Sequence, residues 1–302
     1  MKIPMIDLAP LITDDATGRH SVSRAIDHAA REAGFLYLKQ PLLTDADHAR
    51  MAAIARDFFG RSDAHKLRYA FDEALNFGYG AIGGEGLDPY KPKDLKETFT
   101  MRDVEGHCQD AARWPDPRFR AASVAFYRQC RRICGYVMEA FARSLDLEPR
   151  FFDDKHTGKT QTLRLLHYPP SEPAAPDQLG AGAHTDYGSC TLVFQDNAGG
   201  LEVQAFDGSW IAAPPIPGTV VVNTGDLLAR WTNDIYRSTP HRVRVRPGDA
   251  RDGRLSIAFF NDPDPEVWVE ALPSCVTQAR PRKYPPITAH EHILERIALS
   301  NR

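Results

Sequence analysis

The chain has no apolar run approaching the roughly 20 residues that a bilayer-spanning helix requires, so it offers no transmembrane segment. It also lacks an excess of charge. Its 37 basic and 40 acidic residues leave a formal net charge of −3, which provides no basic field for nucleic acid and no polybasic anchor for a membrane surface. Cysteine is scarce: five residues, odd in number and irregularly spaced, do not make a disulfide framework and point to a reducing, cytoplasmic setting. Cys130 and Cys134 stand four apart on an expected helix and read as buried small hydrophobes, not as a metal or redox pair. Asp7 and two prolines interrupt the opening "MKIPMIDLAPLITDD", which makes a poor signal peptide and is expected to belong to the fold. There is no internal repeat, low-complexity tract or charged tail. What remains is a 302-residue globular chain, long enough for a sizeable core in one large domain or two ordinary ones.

The two halves differ in texture. In the first, "IPMIDLAPL" reads as an opening strand, and Val22, Ile26, Ala29 and Ala33 recur at helical spacing before Gly34 ends the pattern. "FLYLKQ" reads as a strand, and Thr44 caps a second amphipathic helix in "DADHARMAAIARDFF". Residues 71–101 read as a long irregular segment, and long loops inside compact chains are often functional. A helix is expected from Pro117 to about Leu145, with Phe126, Cys130, Ile133, Val137 and Phe141 as its buried stripe. From about Thr160 the chain becomes a series of short strand-like runs, among them "TQTLRLLHYPP", "CTLVFQD", "GLEVQAF", "TVVVNTGDLLARW", "HRVRVRP" and "RLSIAFFNDP". Gly, Pro, Asn and Asp separate them at fairly regular intervals, as in a sandwich, jelly roll or barrel.

Within that half, "GAHTDYGSCTLVFQD" carries His184 and Asp186 two residues apart. Strand alternation points both to one face and Thr185 to the other. His241, in "STPHRVRV", can supply a third ligand from a neighbouring strand. Two histidines and one carboxylate on one face of an octahedron leave positions open, as iron(II) oxygenases require. A His-X-Asp triplet is common by chance, but thirteen residues beyond His241 the run "RLSIAFF" places Arg254 and Ser256 on one strand face. A buried arginine needs an anion, and its planar fork beside a hydroxyl suits a carboxylate. A ligand with two acid groups would satisfy both metal and arginine.

This ordered series resembles the iron(II)- and 2-oxoglutarate-dependent dioxygenases of the isopenicillin N synthase-like family. The likeness extends from "IPMIDLAPL" and "AAREAGFLYL" through "FGYG", "DLKETF" and "WPDPRFR" to "LRLLHYPP", "GGLEV", "GDLLARWTND", "YRSTPHRV" and "RLSIAFFNDP". It implies a mixed, mainly β fold: a double-stranded β-helix (jelly roll) core over 156–302, flanked by N-terminal helices within a region, 1–155, integral to the fold. It implies His184, Asp186 and His241 as iron ligands, Arg254 and Ser256 as the holders of the far carboxylate of 2-oxoglutarate, and Tyr168 as their assistant. The implied activity uses Fe(II), 2-oxoglutarate and O2 to oxidise, by default to hydroxylate, a small molecule, releasing succinate and CO2. Segment 71–101 would be a lid or substrate wall, with Tyr79 and Phe99 as pocket residues.

Three departures stand out. Leu166 replaces a frequent asparagine two residues before Tyr168, "PGDARDG" lengthens the path from His241 to Arg254, and Arg251 falls nearer the usual spacing without a serine partner. Two alternatives remain open from the residues. One is an iron oxidase or cyclase that does not use 2-oxoglutarate. The other is a non-catalytic metal-binding jelly roll in which Cys190 closes the site as a fourth ligand.

Overall fold

Capping and periodicity set the outer layer. The computed structural model describes residues 2–13, 15–88, 91–106, 110–170, 178–244 and 253–300. The first half runs β1 (Met5–Asp7), α1 (Ala9–Ile12), α2 (Ala16–Glu32), β2 (Phe35–Lys39), α3 (Asp45–Phe59), α4 (Asp63–Lys66), β3 (Phe77–Gly80), β4 (Glu97–Arg102) and α5 (Pro117–Ser144). Thr44 and Asp47 cap α3 reciprocally. Asp116 accepts hydrogen bonds from the backbone N–H groups of Arg118 and Phe119 at the start of α5, where Pro117 costs no intrahelical bond. The expected stripe from Phe126 to Phe141 is buried.

The second half contains β5 (Thr162–Tyr168), β6 (Ala181–His184), β7 (Cys190–Gln195), β8 (Leu201–Gln204), β9 (Trp210–Ala212), β10 (Thr219–Thr224), α6 (Asp226–Trp231), β11 (His241–Val243), β12 (Arg254–Asn261), β13 (Trp268–Val269), β14 (Ile287–Thr288) and α7 (Ala289–Ser300). The large sheet has the order β1-β2-β10-β7-β12-β5-β4-β3, and the small one β6-β11-β8-β9. All their pairings are antiparallel except β1 with β2. This is the expected double-stranded β-helix with helices over one side. Four strands of the first half extend its large sheet.

The large sheet has two buried faces. On the outer one Leu36, Leu163, Leu165, Leu192, Val220, Val222, Leu255, Ile257 and Phe259 join the core formed with α2, α3 and α5. On the inner one Phe35, Tyr37, Leu166, Tyr168, Val221 and Ala258 meet Leu201, Val203 and Val243 of the small sheet. Period-two alternation thus directs one set of side chains to the helices and the next to the space between the sheets.

Three local expectations change. Segment 71–101 contains β3 and β4, paired with each other and, through β4, with β5. "APLI" folds into the short helix α1, with Pro10 in its first turn, a position that tolerates proline. "DLLARW" is the helix α6, because Leu227, Leu228 and Trp231 follow a helical stripe after Gly225. No helix among the described residues is long and apolar enough to cross a membrane.

Candidate active site

His184 is the last residue of β6 and pairs across the small sheet with His241, the first residue of β11. Their rings lie 4.3 Å apart, centroid to centroid. Asp186 stands two residues beyond His184, in the turn that leads to β7, so the motif occupies a strand end rather than a continuous strand. Asp186 Oδ1 is 3.8 Å from His184 Nε2 and 3.7 Å from His241 Nε2. One ligand atom from each residue falls within 4.8 Å of the others.

Hydrogen bonds fix which atoms face the centre. His184 Nδ1 donates to the Gly182 carbonyl at 2.7 Å, and His241 Nδ1 donates to the Thr239 carbonyl at 3.2 Å. In the neutral tautomer that these bonds select, each Nε2 is the acceptor, the form a metal binds. Asp186 Oδ2 accepts from Thr191 Oγ1 at 2.5 Å and Asn223 Nδ2 at 2.6 Å, leaving Oδ1 turned inward. Burial, reinforced by the adjacent His241, holds His184 well below the ordinary histidine range. Burial opposes ionisation of Asp186, but the two imidazoles and the Asn223 and Thr191 hydrogen bonds outweigh it and keep the carboxyl acidic.

At the start of β12, Arg254 is 3% exposed and Ser256 3% exposed. Arg254 Nε donates to the Gly199 carbonyl at 2.6 Å, one terminal nitrogen to Ser256 Oγ at 3.0 Å and the other to Gln195 Oε1 at 3.3 Å. Tyr168, its partner across β5, places its ring 4.8 Å from the guanidinium. Among the described residues no carboxylate lies within ion-pair distance of Arg254. A buried guanidinium without an anion is costly, and this one faces the cavity that contains the two histidines and Asp186. Arg251 lies outside the described residues.

That cavity, about 340 Å³, lies between the sheets. The inner face of the large sheet supplies Arg102, Thr162, Arg164, Leu166, Val193 and Phe260. Ile293 and Ile297 of α7 close another side, and Arg296 ties that helix to Asp226 at 2.9 Å and to Thr185 Oγ1 at 2.9 Å. Segment 84–87 forms a further wall, pinned by Glu85 to Lys96 at 3.2 Å and to Arg164. Burial opposes the charge on Glu85, yet Arg164 and Lys96 hold its pKa down at about 2. Asp94 accepts the Gly182 N–H at 2.9 Å and pairs with Lys96, linking this wall to β6.

Tyr79 and Phe99, expected on the substrate wall, stand on the opposite face of the sheet. Phe99 is fully buried against Phe58, Phe77 and Phe119. Tyr79 packs on Phe58 and donates to Glu97 Oε2 at 2.7 Å. Alternation along β4 explains the displacement, because Thr100 and Arg102 take the cavity side. His167 also faces outward, with Nδ1 2.8 Å from Glu97 Oε1. Cys190, the candidate fourth ligand, is 4.0 Å from Met138 Sδ on the helical side. Among the described residues the cluster consists of His184, Asp186 and His241, short of the four ligands of a closed structural zinc site.

Sequence reading missed Thr191, Asn223, Gln195, Arg164 and Asp262. The signal for Asn223 was present: one amide inside the apolar run "TVVVNT". Asp262 lines the cavity just past β12, where burial, countered by Arg102 and reinforced by the charge of Asp186, pushes its pKa up to about 7.

Comparison with known proteins agrees with this geometry. Residues 159–263 match the 2OG-Fe(II) oxygenase superfamily, and residues 3–117 match the N-terminal region of non-haem dioxygenases in morphine synthesis. A 2-oxoglutarate-Fe(II) type oxidoreductase of Emericella nidulans is 31% identical over 312 residues, covering 96% of this chain and 88% of the relative. Homoarginine-6-hydroxylase of Glycine max is 31% identical, with 93% and 91% covered. A full-length Neurospora crassa protein, crystallised in complex with alpha-KG (2-oxoglutarate), superposes with a TM-score of 0.87 at 35% identity over 98% of this chain and 96% of that one. The complex of that protein with alpha-KG and thymine gives 0.87 at 34% identity, with the same coverage. The chain therefore belongs to the 2OG-Fe(II) oxygenase superfamily and is a non-haem, 2-oxoglutarate-dependent oxidoreductase.

Proposed function

We propose that His184, Asp186 and His241 hold the iron, that Arg254 and Ser256, with Tyr168 against them, receive the far carboxylate of 2-oxoglutarate, and that a small planar heterocycle is hydroxylated in the remaining cavity. The observation that carries the reading is Arg254: a buried guanidinium with no carboxylate partner among the described residues, facing the same cavity as two histidine acceptors and one carboxylate oxygen. These groups fit the metal and the co-substrate. Bound iron(II) supplies the oxygen-activating chemistry, with 2-oxoglutarate leaving as succinate and CO2.

The chain's own contribution is positioning and exclusion of water. Thr191 and Asn223 orient Asp186, the Gly182 and Thr239 carbonyls orient the imidazoles, and Ile293 and Ile297 cover the cavity. Size and lining support a compact, flat substrate: Tyr187, Phe260 and Phe71 offer aromatic surface beside polar groups, and the similar Neurospora crassa structure holds thymine. In this reading segments 1–155 and 156–302 work as one unit, since β4 gives Thr100 and Arg102 to the cavity. The four cysteines among the described residues are buried and free, in accord with a reducing, cytoplasmic setting.

The test is anaerobic titration of the iron(II) protein with 2-oxoglutarate, following the weak visible metal-to-ligand charge-transfer band. The band is expected in the wild type, absent in His184→Ala and weakened in Arg254→Ala. Iron binding with no band at any 2-oxoglutarate concentration would overturn the assignment.

A further inference from the structure

Arg254 and Asp262 stand at opposite ends of the same run, "RLSIAFFND", and both line the cavity. Arg254 accounts for the co-substrate; Asp262 has no role in that arrangement. Among the described residues, no hydrogen bond or ion pair reaches its carboxylate. Arg102 influences it through space, but the guanidinium of Arg102 is turned to Thr162 Oγ1 at 3.3 Å and to the side-chain amide of Asn76 at 2.8 Å. The carboxylate lies against the turn that follows Asp186: a Cβ added at Gly188 would come within 1.7 Å of Asp262 Oδ1. Only glycine at 188 leaves the carboxylate in this position.

A partly enclosed acceptor without a donor is satisfied by a ligand or by solvent. The rest of the lining restricts the ligand. Lys93, Lys96, Arg102, Arg164 and Arg254 outnumber Glu85, Asp186 and Asp262 around the cavity, and a 2+ metal with a doubly charged co-substrate leaves that balance unchanged. A cationic substrate is disfavoured. Arg164 contributes the complementary group: it lines the cavity, and while one terminal nitrogen is held by Glu85 and Thr98, the other has no hydrogen-bond partner among the described residues. Phe260 and Tyr187 supply apolar surface between these polar ends.

Building on the iron and 2-oxoglutarate reading above, we propose that Asp262 is a specificity-determining residue that accepts a hydrogen bond from an N–H of a neutral, planar amide- or imide-type substrate, while Arg164 donates to a carbonyl of the same molecule. Asp262 selects N–H-bearing rings over their N-alkylated counterparts.

The protein loaded with Fe(II) and 2-oxoglutarate is titrated anaerobically at about pH 8.5, where Asp262, whose pKa burial pushes up to about 7, is ionised. The probes are thymine and 1,3-dimethylthymine, which keeps the ring but has no N–H. Perturbation of the charge-transfer band reports binding. Thymine is expected to bind about ten- to a hundred-fold more tightly than its dimethyl analogue, the scale of one hydrogen bond to a charged acceptor. Asp262→Leu is expected to erase that preference with the 2-oxoglutarate affinity unchanged, and Asp262→Asn, which keeps an acceptor oxygen, to restore part of it. Equal binding of the two probes, no binding of thymine to a wild-type protein that shows the band, or a preference that survives in Asp262→Leu would each overturn the inference. Should Asp262→Leu not fold, the wild-type probe pair and Asp262→Asn decide it alone. Absence of the band itself sinks the underlying iron and 2-oxoglutarate reading, a separate and recognisable failure.

Discussion

Buried polar groups lie against both faces of the large sheet, and the two sets are finished differently. On the helical face, Glu97 receives Lys66 Nζ at 2.7 Å, the Tyr79 hydroxyl at 2.7 Å and His167 Nδ1 at 2.8 Å. Burial opposes the charge on Lys66, yet Glu97 holds it above the ordinary lysine range; burial likewise opposes Glu97, which its three partners keep acidic. This set is closed, with every charge answered from within the chain. On the cavity face, among the described residues, Arg254 has no carboxylate, Asp262 has no donor, and three ligand atoms converge on one point. Buried charge that the chain satisfies itself secures the fold, whereas buried charge left open is completed by a ligand.

The largest effect is expected at the metal end of the open set. Asp186→Ala removes the carboxylate that both imidazoles face at under 4 Å. It is expected to abolish succinate formation and the charge-transfer band while leaving the melting temperature of the metal-free protein unchanged or raised. Turnover within the roughly 10–100-fold loss typical of a supporting residue would show that Asp186 is not a ligand.

The next largest effect belongs to the closed set. Glu97→Gln strands the Lys66 ammonium, whose other carboxylate, Asp63, is 3.2 Å away but 85% exposed. Breaking a buried pair costs about 3–5 kcal/mol, to be read from urea denaturation, with affinity for 2-oxoglutarate unaltered. Arg254→Met is the mirror experiment. It should weaken 2-oxoglutarate binding by about 30-fold or more, roughly 2 kcal/mol, and change folding stability by less than that. If Glu97→Gln damaged co-substrate binding as much as Arg254→Met does, the division into closed and open sets would fail.

The division was partly legible in the sequence. Arg254 and Ser256 shared a strand face by alternation, and the structure places them so. His184 and Asp186 could be paired by spacing even though the strand ends between them, because both readings bring the side chains together. Tyr79 and Phe99 were misplaced because 71–101 reads as a loop from its glycines and prolines, and a loop gives no alternation from which to tell faces apart. Once β4 pairs with β5, Phe99 must turn to the helices and Thr100 to the cavity. Asp262 was illegible for a different reason: nothing local marks it. Its exposure to the cavity depends on Gly188, 74 positions earlier in the chain.

The smallest effect sharpens the contrast at a titratable member of the helical side. His156 is 8% exposed, with Nδ1 3.0 Å from the Phe152 carbonyl and Nε2 2.9 Å from Ser189 Oγ. The carbonyl fixes the proton on Nδ1, so the serine hydroxyl donates to Nε2 and the pair is complete only while the ring is neutral. Burial pushes the His156 pKa down to about 4, more than the Phe152 carbonyl can restore. Between about pH 6.5 and 4 the unfolded chain therefore binds a proton that the folded one refuses, and stability falls as pH falls through that window. The expected slope from this group is about 1.4 kcal/mol per pH unit inside the window, vanishing above it. His184 titrates in the same direction when metal is absent, so the measurement is a difference: urea denaturation of the EDTA-treated wild type against His156→Phe, from pH 7.5 to 5. The variant should be less stable at pH 7.5, having lost both hydrogen bonds, and should lose less on acidification. Identical pH slopes would mean that His156 is protonated in the folded protein, and that a site read here as closed is open to water.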